Sequence, residues 1–224
     1  MSRSNRSWPL ITESNPKSPI SEAYKILRTN IEFSNLEEDV QTIMVTSSKM
    51  SEGKSTTSAN IAVTYSQANK RVLLIDADLR KPTQHQVFSV SNRLGLTSAL
   101  SNQHDLEEVL ASTSVPNLTV LPSGPIPPNP SEMLASKRMT ALLEKTRELF
   151  DIIIVDTPPI TVVTDSQIVA AKCDGVIMVI DAGSVKKEAA LKAKMSLEHV
   201  KARILGVVLN NVNRKDAEGY YYYN

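Results

Sequence analysis

Cysteine is almost missing: Cys173 stands alone among 224 residues, which excludes an intrachain disulfide and fits a reducing compartment. An excess of one charge is missing too. Twenty-five basic side chains against 24 acidic ones leave a formal charge of +1, so no global field draws the chain onto nucleic acid or an anionic membrane, and partners must be recognised locally. The three histidines, His85, His104 and His199, lack metal-ligand spacing. Met1 to Trp8 is polar and basic with no apolar stretch behind it, unlike a secretory signal. Asp156 and Asp181 cut the strongest apolar runs well short of the ~18 residues of a membrane span. The expectation is a soluble cytoplasmic protein.

What is present is enough for one core, with 41% hydrophobic residues in a length suited to one large α/β domain. Short β-branched runs alternate with segments of helical period, and runs that are continuously apolar imply strands buried on both faces. The fold class expected is α/β, a mostly parallel central sheet flanked by helices, of the P-loop NTPase type. Strands are expected at Thr42–Thr46, Val72–Ile75, Leu118–Leu121, Ile152–Val155, Val176–Ile180 and Ile204–Leu209. Helices are expected at Ser55–Ala68, Thr164–Cys173 and Lys187–His199, with Met139, Leu142, Leu143, Leu149 and Phe150 tracing the apolar stripe of another. The proline-rich Pro122–Pro130 cannot pair inside a sheet and should form an ordered loop on the nucleotide side or at a subunit contact. Residues 1–19 read as a mobile arm, 20–212 as the domain, and 213–224 as a flexible tail holding the low-complexity run Tyr220–Tyr223.

The chemistry begins where the first strand runs into Ser48-Lys49-Met50-Ser51-Glu52-Gly53-Lys54-Ser55 and then, through Thr56, into a helix. Gly-Lys-Ser alone is a common chance match, but strand, spacing and helix together make a phosphate-binding loop. Gly53 lets the backbone approach the phosphates, Lys54 bridges their β and γ oxygens, Ser55 offers a hydroxyl to Mg²⁺, and the helix N-terminus adds its dipole. Ser48 departs from the general pattern, which has glycine there.

Two further strands deliver acids to the edge where such a loop lies. Val72–Pro82 carries Asp76 and Asp78 two residues apart, hence on one face, and Ile152–Pro159 carries Asp156 in the form of a Walker B carboxylate. Singly, each acid could be a turn or helix cap; three at strand ends beside a phosphate loop point to a metal site of Ser55, Asp76, Asp78 and Asp156. Asn210, ending the last strand, has an amide able to pair with adenine, or is a turn asparagine.

The loop with Ser48, the run D-A-D-L-R-K-P and the strand end D-T-P-P resemble the bacterial tyrosine kinases of capsule and exopolysaccharide export. Two further segments carry the resemblance, S-G-P-I-P-P-N-P-S-E-M-L at Ser123–Leu134 and the terminal tyrosines. It implies a protein-tyrosine kinase using ATP and Mg²⁺, with Lys54, Ser55, Asp76, Asp78 and Asp156 at the site, Lys54, Asp76 and Asp78 as catalytic residues, and Asp76 or Asp78 facing the incoming hydroxyl, with Asp76 the candidate base. It also implies a free cytoplasmic subunit recruited to the inner membrane face by a transmembrane activator or co-polymerase, a ring-like homo-oligomer, protein tyrosine substrates and a cognate phosphotyrosine phosphatase, without nucleic acid. Glu22, Lys25 and Arg28 resemble the family's Glu-x-x-Arg-x-x-Arg contact motif, Lys25 replacing an arginine fork with a point charge. Met50-Ser51 stand where the family commonly has Pro-Gly, so a Cβ would pay at a positive φ.

Three functions compete: an autophosphorylating tyrosine kinase, a hydrolytic ATPase that switches dimerisation, and a non-catalytic ATP-gated interaction subunit. Lys49 stands where the partitioning and cell-division ATPases place a second loop lysine, which keeps the second in play. Four of six tyrosines, Tyr220, Tyr221, Tyr222 and Tyr223, crowd the last five residues, where no packing argument needs them. They are the candidate phosphoacceptors, the other reading being aromatic docking on a partner.

Overall fold

A computed structural model describes residues 10–34 and 40–212. After two N-terminal helices, α1 (Ile11–Ser14) and α2 (Pro19–Ser34), come β1 (Thr42–Ser47), α3 (Lys54–Gln67), β2 (Val72–Asp76), and the short helices α4 (Gln84–Val87), α5 (Leu96–Leu100) and α6 (Leu106–Val109). The chain continues through β3 (Ala111–Ser112), β4 (Leu118–Leu121), α7 (Pro130–Ala135), α8 (Lys137–Leu149), β5 (Ile152–Asp156), α9 (Asp165–Ala170), β6 (Gly175–Asp181), α10 (Lys187–His199) and β7 (Ile204–Asn210).

The strands form one sheet in the order β3-β4-β2-β5-β1-β6-β7, parallel except for the β3 edge. β1, β2 and β5 are buried at every residue, whereas burial fades along β7 at the open edge. Continuous apolar runs therefore mark the strands covered on both sides. Alternation within each run divides the core: Ile43, Val45, Leu74 and Ile154 pack toward α3, while Met44, Leu73, Ile153 and Val155 pack with Met139 and Leu143 of α8 and Leu197 of α10. Each such side chain contributes about 1.5–3 kcal/mol on burial.

All six expected strands are present, each within a residue or two of its expected ends; β3 carries only two residues and leaves no pattern to read. Leu149 does not join the α8 stripe and is 40% exposed. The helix expected at Thr164–Cys173 is confined to Asp165–Ala170. Pro122–Pro130 is an ordered loop: the carbonyls of Pro122 and Ser123 accept from Leu96 and Thr97, and Pro130 opens α7, where its missing N–H costs nothing.

The main correction concerns the arm. Residues 1–9 lie outside the described part, but residues 10–19 are packed rather than loose. Thr12 is buried, and both its N–H and its hydroxyl donate to Asn60 Oδ1, at 3.1 and 2.9 Å. Gln67 Nε2 donates to the Thr12 carbonyl, and Arg28 of α2 donates to the Thr64 carbonyl at 2.8 Å. This cover explains why α3 is buried nearly all round although it carries Thr57, Ser58, Asn60, Thr64 and Ser66. Its hydroxyls turn back onto the helix's own carbonyls, as Ser58 does to Lys54 and Thr64 to Ile61. Asn60→Ala should therefore cost about 2 kcal/mol through two lost buried donors' partners. A calorimetric melt checks this, and an unchanged melting temperature would contradict the packed segment.

Candidate active site

Parallel register brings the acids together. Asp76 of β2 sits opposite Asp156 of β5, and Asp156 opposite Val45 of β1, two residues before β1 runs into the phosphate loop. The edge formed by these strand ends opens into a cleft of about 480 Å³ lined by Ser51, Gly53, Lys54, Ser55, Thr56, Asp78, Arg80 and Lys81. Met50 of the loop and Pro158 and Pro159 of the D-T-P-P strand end supply an apolar wall together with Val162 and Val163, which sequence reasoning did not identify.

The loop is braced from inside by Glu52, which is 2% exposed. One carboxylate oxygen accepts from the Ser48 hydroxyl at 2.6 Å and from the Lys49 amide, the other from the Asp181 amide at 3.3 Å. Ser48 thus has a task that glycine lacks, tying the loop's first residue to its fifth. Ser51 sits at φ 67°, so the loop does keep the conformation in which a Cβ is penalised. Gly53 sits at φ 91°, and a Cβ there would lie 2.2 Å from Asn210 Nδ2. Asn210 therefore abuts the loop, its amide donating to the Glu52 carbonyl at 3.0 Å.

Lys54 opens α3 and is buried, with its ammonium 2.9 Å from Asp78 Oδ2, 3.6 Å from Asp156 Oδ1 and 2.9 Å from the Ser55 hydroxyl. Burial opposes its charge, but the Asp156 and Asp78 carboxylates outweigh that and hold Lys54 above the usual ammonium range. Asp76 is wholly buried and does not line the cleft as Asp78 does. Its Oδ2 accepts from the Thr83 and Gln84 amides, each at 2.9 Å, and Oδ1 from the Asp78 amide at 3.3 Å. Burial, then the nearby Asp156 charge, push the Asp76 carboxyl up to about 8, against the pull of the Gln84 amide, Lys54 and the Thr83 amide. Gln84, which the sequence did not single out, links Asp156 and Ser55 through its amide. Arg80 forks onto buried Asp165, which also accepts from Ser131, tying the D-L-R-K-P turn to the starts of α7 and α9.

The other expected residues are less convergent. Lys49 lies exposed on the loop. On α2, Glu22 and Lys25 pair with each other at 3.2 Å, while Arg28 reaches Thr64 of its own chain. Tyr220, Tyr221, Tyr222 and Tyr223 lie outside the described residues.

A family model described as an AAA domain matches residues 40–204. The tyrosine-protein kinase YwqD of Bacillus subtilis is 45% identical over 222 residues, 99% of this chain and 93% of that protein. The chain belongs to the bacterial tyrosine-protein kinases. The putative tyrosine-protein kinase CapB of Staphylococcus aureus is 43% identical over 96% of this chain and 94% of its own length. The crystal structure of the chimerical protein CapA2B2 superposes on this kinase-family fold with a TM-score of 0.89 at 40% identity, covering 96% of this chain and 92% of that one. The Pyrococcus furiosus cell division ATPase MinD shares the fold at a TM-score of 0.67 and 22% identity, covering 81% of this chain and 79% of that one. The family binds nucleotide through its P-loop. No helix among the described residues is long and apolar enough to cross a membrane.

The side chains fit a nucleotide carrying a divalent cation. Two buried carboxylates, Asp78 and Asp156, face one ammonium, which leaves room for positive charge, and Gln84 Oε1 and Thr83 Oγ1 are buried beside them with no hydrogen-bond partner. Among the described residues no three His, Cys, Asp or Glu side chains are grouped so as to hold a metal ion by themselves. The expected joint metal site of Asp76, Asp78 and Asp156 is therefore not formed by the three acids together, because the Thr83 and Gln84 amides occupy Asp76.

The position of Asp76 has a consequence for pH. The folded protein keeps a proton there that the unfolded chain releases near 3.8, so this contribution to stability is fully present below 3.8 and is lost as pH rises through about 8. Without nucleotide, Asp76→Asn should melt progressively higher relative to wild type across that window. Melting curves at several pH values test it, and a difference independent of pH would contradict a protonated Asp76.

Proposed function

We propose that this chain is an ATP- and Mg²⁺-dependent protein-tyrosine kinase that phosphorylates its own terminal tyrosines between subunits of an oligomer. The observation that carries the reading is the buried Lys54 ammonium at the head of α3, between Asp78 and Asp156, in a chain that is 45% identical over 222 residues to a tyrosine-protein kinase and has four tyrosines at Tyr220–Tyr223. Lys54 neutralises charge on the transferring phosphoryl group, exchanging its carboxylate partners for phosphate oxygens. When bound through Ser55 and the carboxylates, Mg²⁺ supplies further charge neutralisation. Phosphoryl transfer of this kind passes through a loose transition state, so the phenol proton leaves late and its acceptor mainly orients the hydroxyl.

We assign the acceptor role to Asp76, which must first release the proton it holds in the ligand-free protein; a cation bound beside it favours that loss and leaves a carboxylate free to take the phenol proton. Hydrogen bonds at such sites often tighten only with substrate bound, so burial of Asp76 beneath the cleft does not disqualify it. Asp78, paired with Lys54, acts on the cation side. Asn210 places a carbonyl and an amide beside the loop for the adenine edge. The fourteen residues Asn211 to Asn224 reach at most ~50 Å, enough for a neighbour's cleft, and the contact expected of Glu22, Lys25 and Arg28 assembles the ring. Modifying all four tyrosines adds roughly −6 to −8 charges, which expels the tail and separates the subunits. A transmembrane activator recruits the kinase to the inner membrane face, and a phosphatase resets the tail.

Lys54→Met should lower autophosphorylation at least about 100-fold in a chain that still folds, as far-UV circular dichroism checks, with a lower melting temperature because Asp78 and Asp156 lose their buried cation. Near-normal phosphotyrosine in that variant would refute the site. Mixing Lys54→Met chains bearing the tail with active chains lacking Tyr220–Asn224 should label the former; absence of label despite co-assembly would refute transfer between subunits. Light scattering before and after full phosphorylation should show a fall in mass. Arg28→Ala should lower the mass beforehand, and equal masses would discard that contact.

A further inference from the structure

Gln84 lies eight residues beyond Asp76, at the first position of α4, and is fully buried. Its side-chain nitrogen donates to Asp156 Oδ2 at 2.7 Å and to the Ser55 backbone carbonyl at 3.1 Å, while its own backbone amide donates to Asp76 Oδ2 at 2.9 Å. One residue therefore holds the ends of β2 and β5 and the first turn of α3. The orientation of its amide follows from chemistry, because both neighbours of the nitrogen are acceptors and only the NH₂ end can face them. With Oδ2 engaged by Gln84, the remaining oxygen of Asp156, Oδ1, is the one turned toward Lys54 at 3.6 Å and the Ser58 hydroxyl at 3.3 Å. The carbonyl oxygen of Gln84 is buried without a hydrogen-bond partner, a state that costs free energy unless the site's ligands complete it.

We infer that Gln84 is a positioning residue for the metal–nucleotide complex: it fixes the rotamer of Asp156 so that Oδ1 alone faces the cation, and it offers its own carbonyl to a water in the cation's shell. Donors that orient a carboxylate ligand in this way tune metal affinity without touching the metal. The inference rests on the ATP and Mg²⁺ reading of the site, and it does not require that the acceptor be tyrosine.

The test uses the full chain, a fluorescent ATP analogue and Mg²⁺ titrations, so that binding is read apart from catalysis. Gln84→Met keeps the side-chain volume and removes both polar ends; Gln84→Glu keeps the shape and replaces the donor with a carboxylate. Both should raise the Mg²⁺ concentration for half-maximal nucleotide binding by about ten-fold or more, the effect expected for a lost outer-shell partner, while affinity for the analogue in chelator changes less than about two-fold. Autophosphorylation should show the same displacement of its Mg²⁺ dependence. A lower melting temperature with wild-type Mg²⁺ dependence in Gln84→Met would show a packing role only and overturn the inference. A wild-type protein that binds the Mg²⁺–nucleotide complex yet makes no phosphotyrosine even with an activator segment present would refute the kinase reading, while the Mg²⁺ titration of nucleotide binding would still decide the role of Gln84.

Discussion

Lys54 is the charge around which the structure is arranged. An ammonium buried at the head of a helix, already beside that helix's positive dipole end, is unfavourable unless carboxylates meet it within a few ångströms. Asp78 and Asp156 do so, and the three elements that carry these residues, α3, the turn after β2 and the end of β5, are thereby drawn to one point. Because that arrangement contains more negative than positive charge, it is also the part of the molecule most ready to take up a cation and polyphosphate. The pairing holds these elements together, and the excess of acid draws the ligand.

The parallel sheet makes the meeting possible. Strands in register deliver their last residues to a common edge, and β2, β5 and β1 are adjacent there despite their separation in the chain. The phosphate loop between β1 and α3 is then stiffened by a single carboxylate, Glu52, instead of by glycines. This is why the chain tolerates serine at positions 48 and 51: at 48 the hydroxyl is used, and at 51 the positive φ is imposed by a loop closed at both ends.

A second consequence concerns α3. A helix that bears the phosphate loop on one end and is covered along its length by α1 and α2 couples the loop to the N-terminal segment through Asn60, Gln67 and Thr64. Arg28 thus has an intramolecular role on the same helix that the Glu22, Lys25 and Arg28 spacing marks as a contact face. Any partner that engages this face acts one hydrogen bond away from α3.

Strand positions, the phosphate loop, the three acids and the tyrosine cluster were legible in the residues themselves. Each is a local signal: a continuous apolar run, a fixed spacing, or a charge at a strand end, and each means the same wherever the strand is placed. Gln84, the Glu52 brace, the Arg80–Asp165–Ser131 tie and the packing of residues 10–19 on α3 carry no such signal. A lone glutamine or threonine in a polar stretch reads as surface, and its burial depends on which distant backbone arrives beside it. The same holds for the different fates of Asp76 and Asp78. Their spacing places both on one face of an extended strand, but the turn that follows folds its amides onto Asp76 and leaves Asp78 to Lys54. Sequence determined which groups are available for chemistry; tertiary structure decided which of them touch, because hydrogen bonds and ion pairs act over a few ångströms and partners such as Glu52 and Asn210 lie 158 residues apart in the chain.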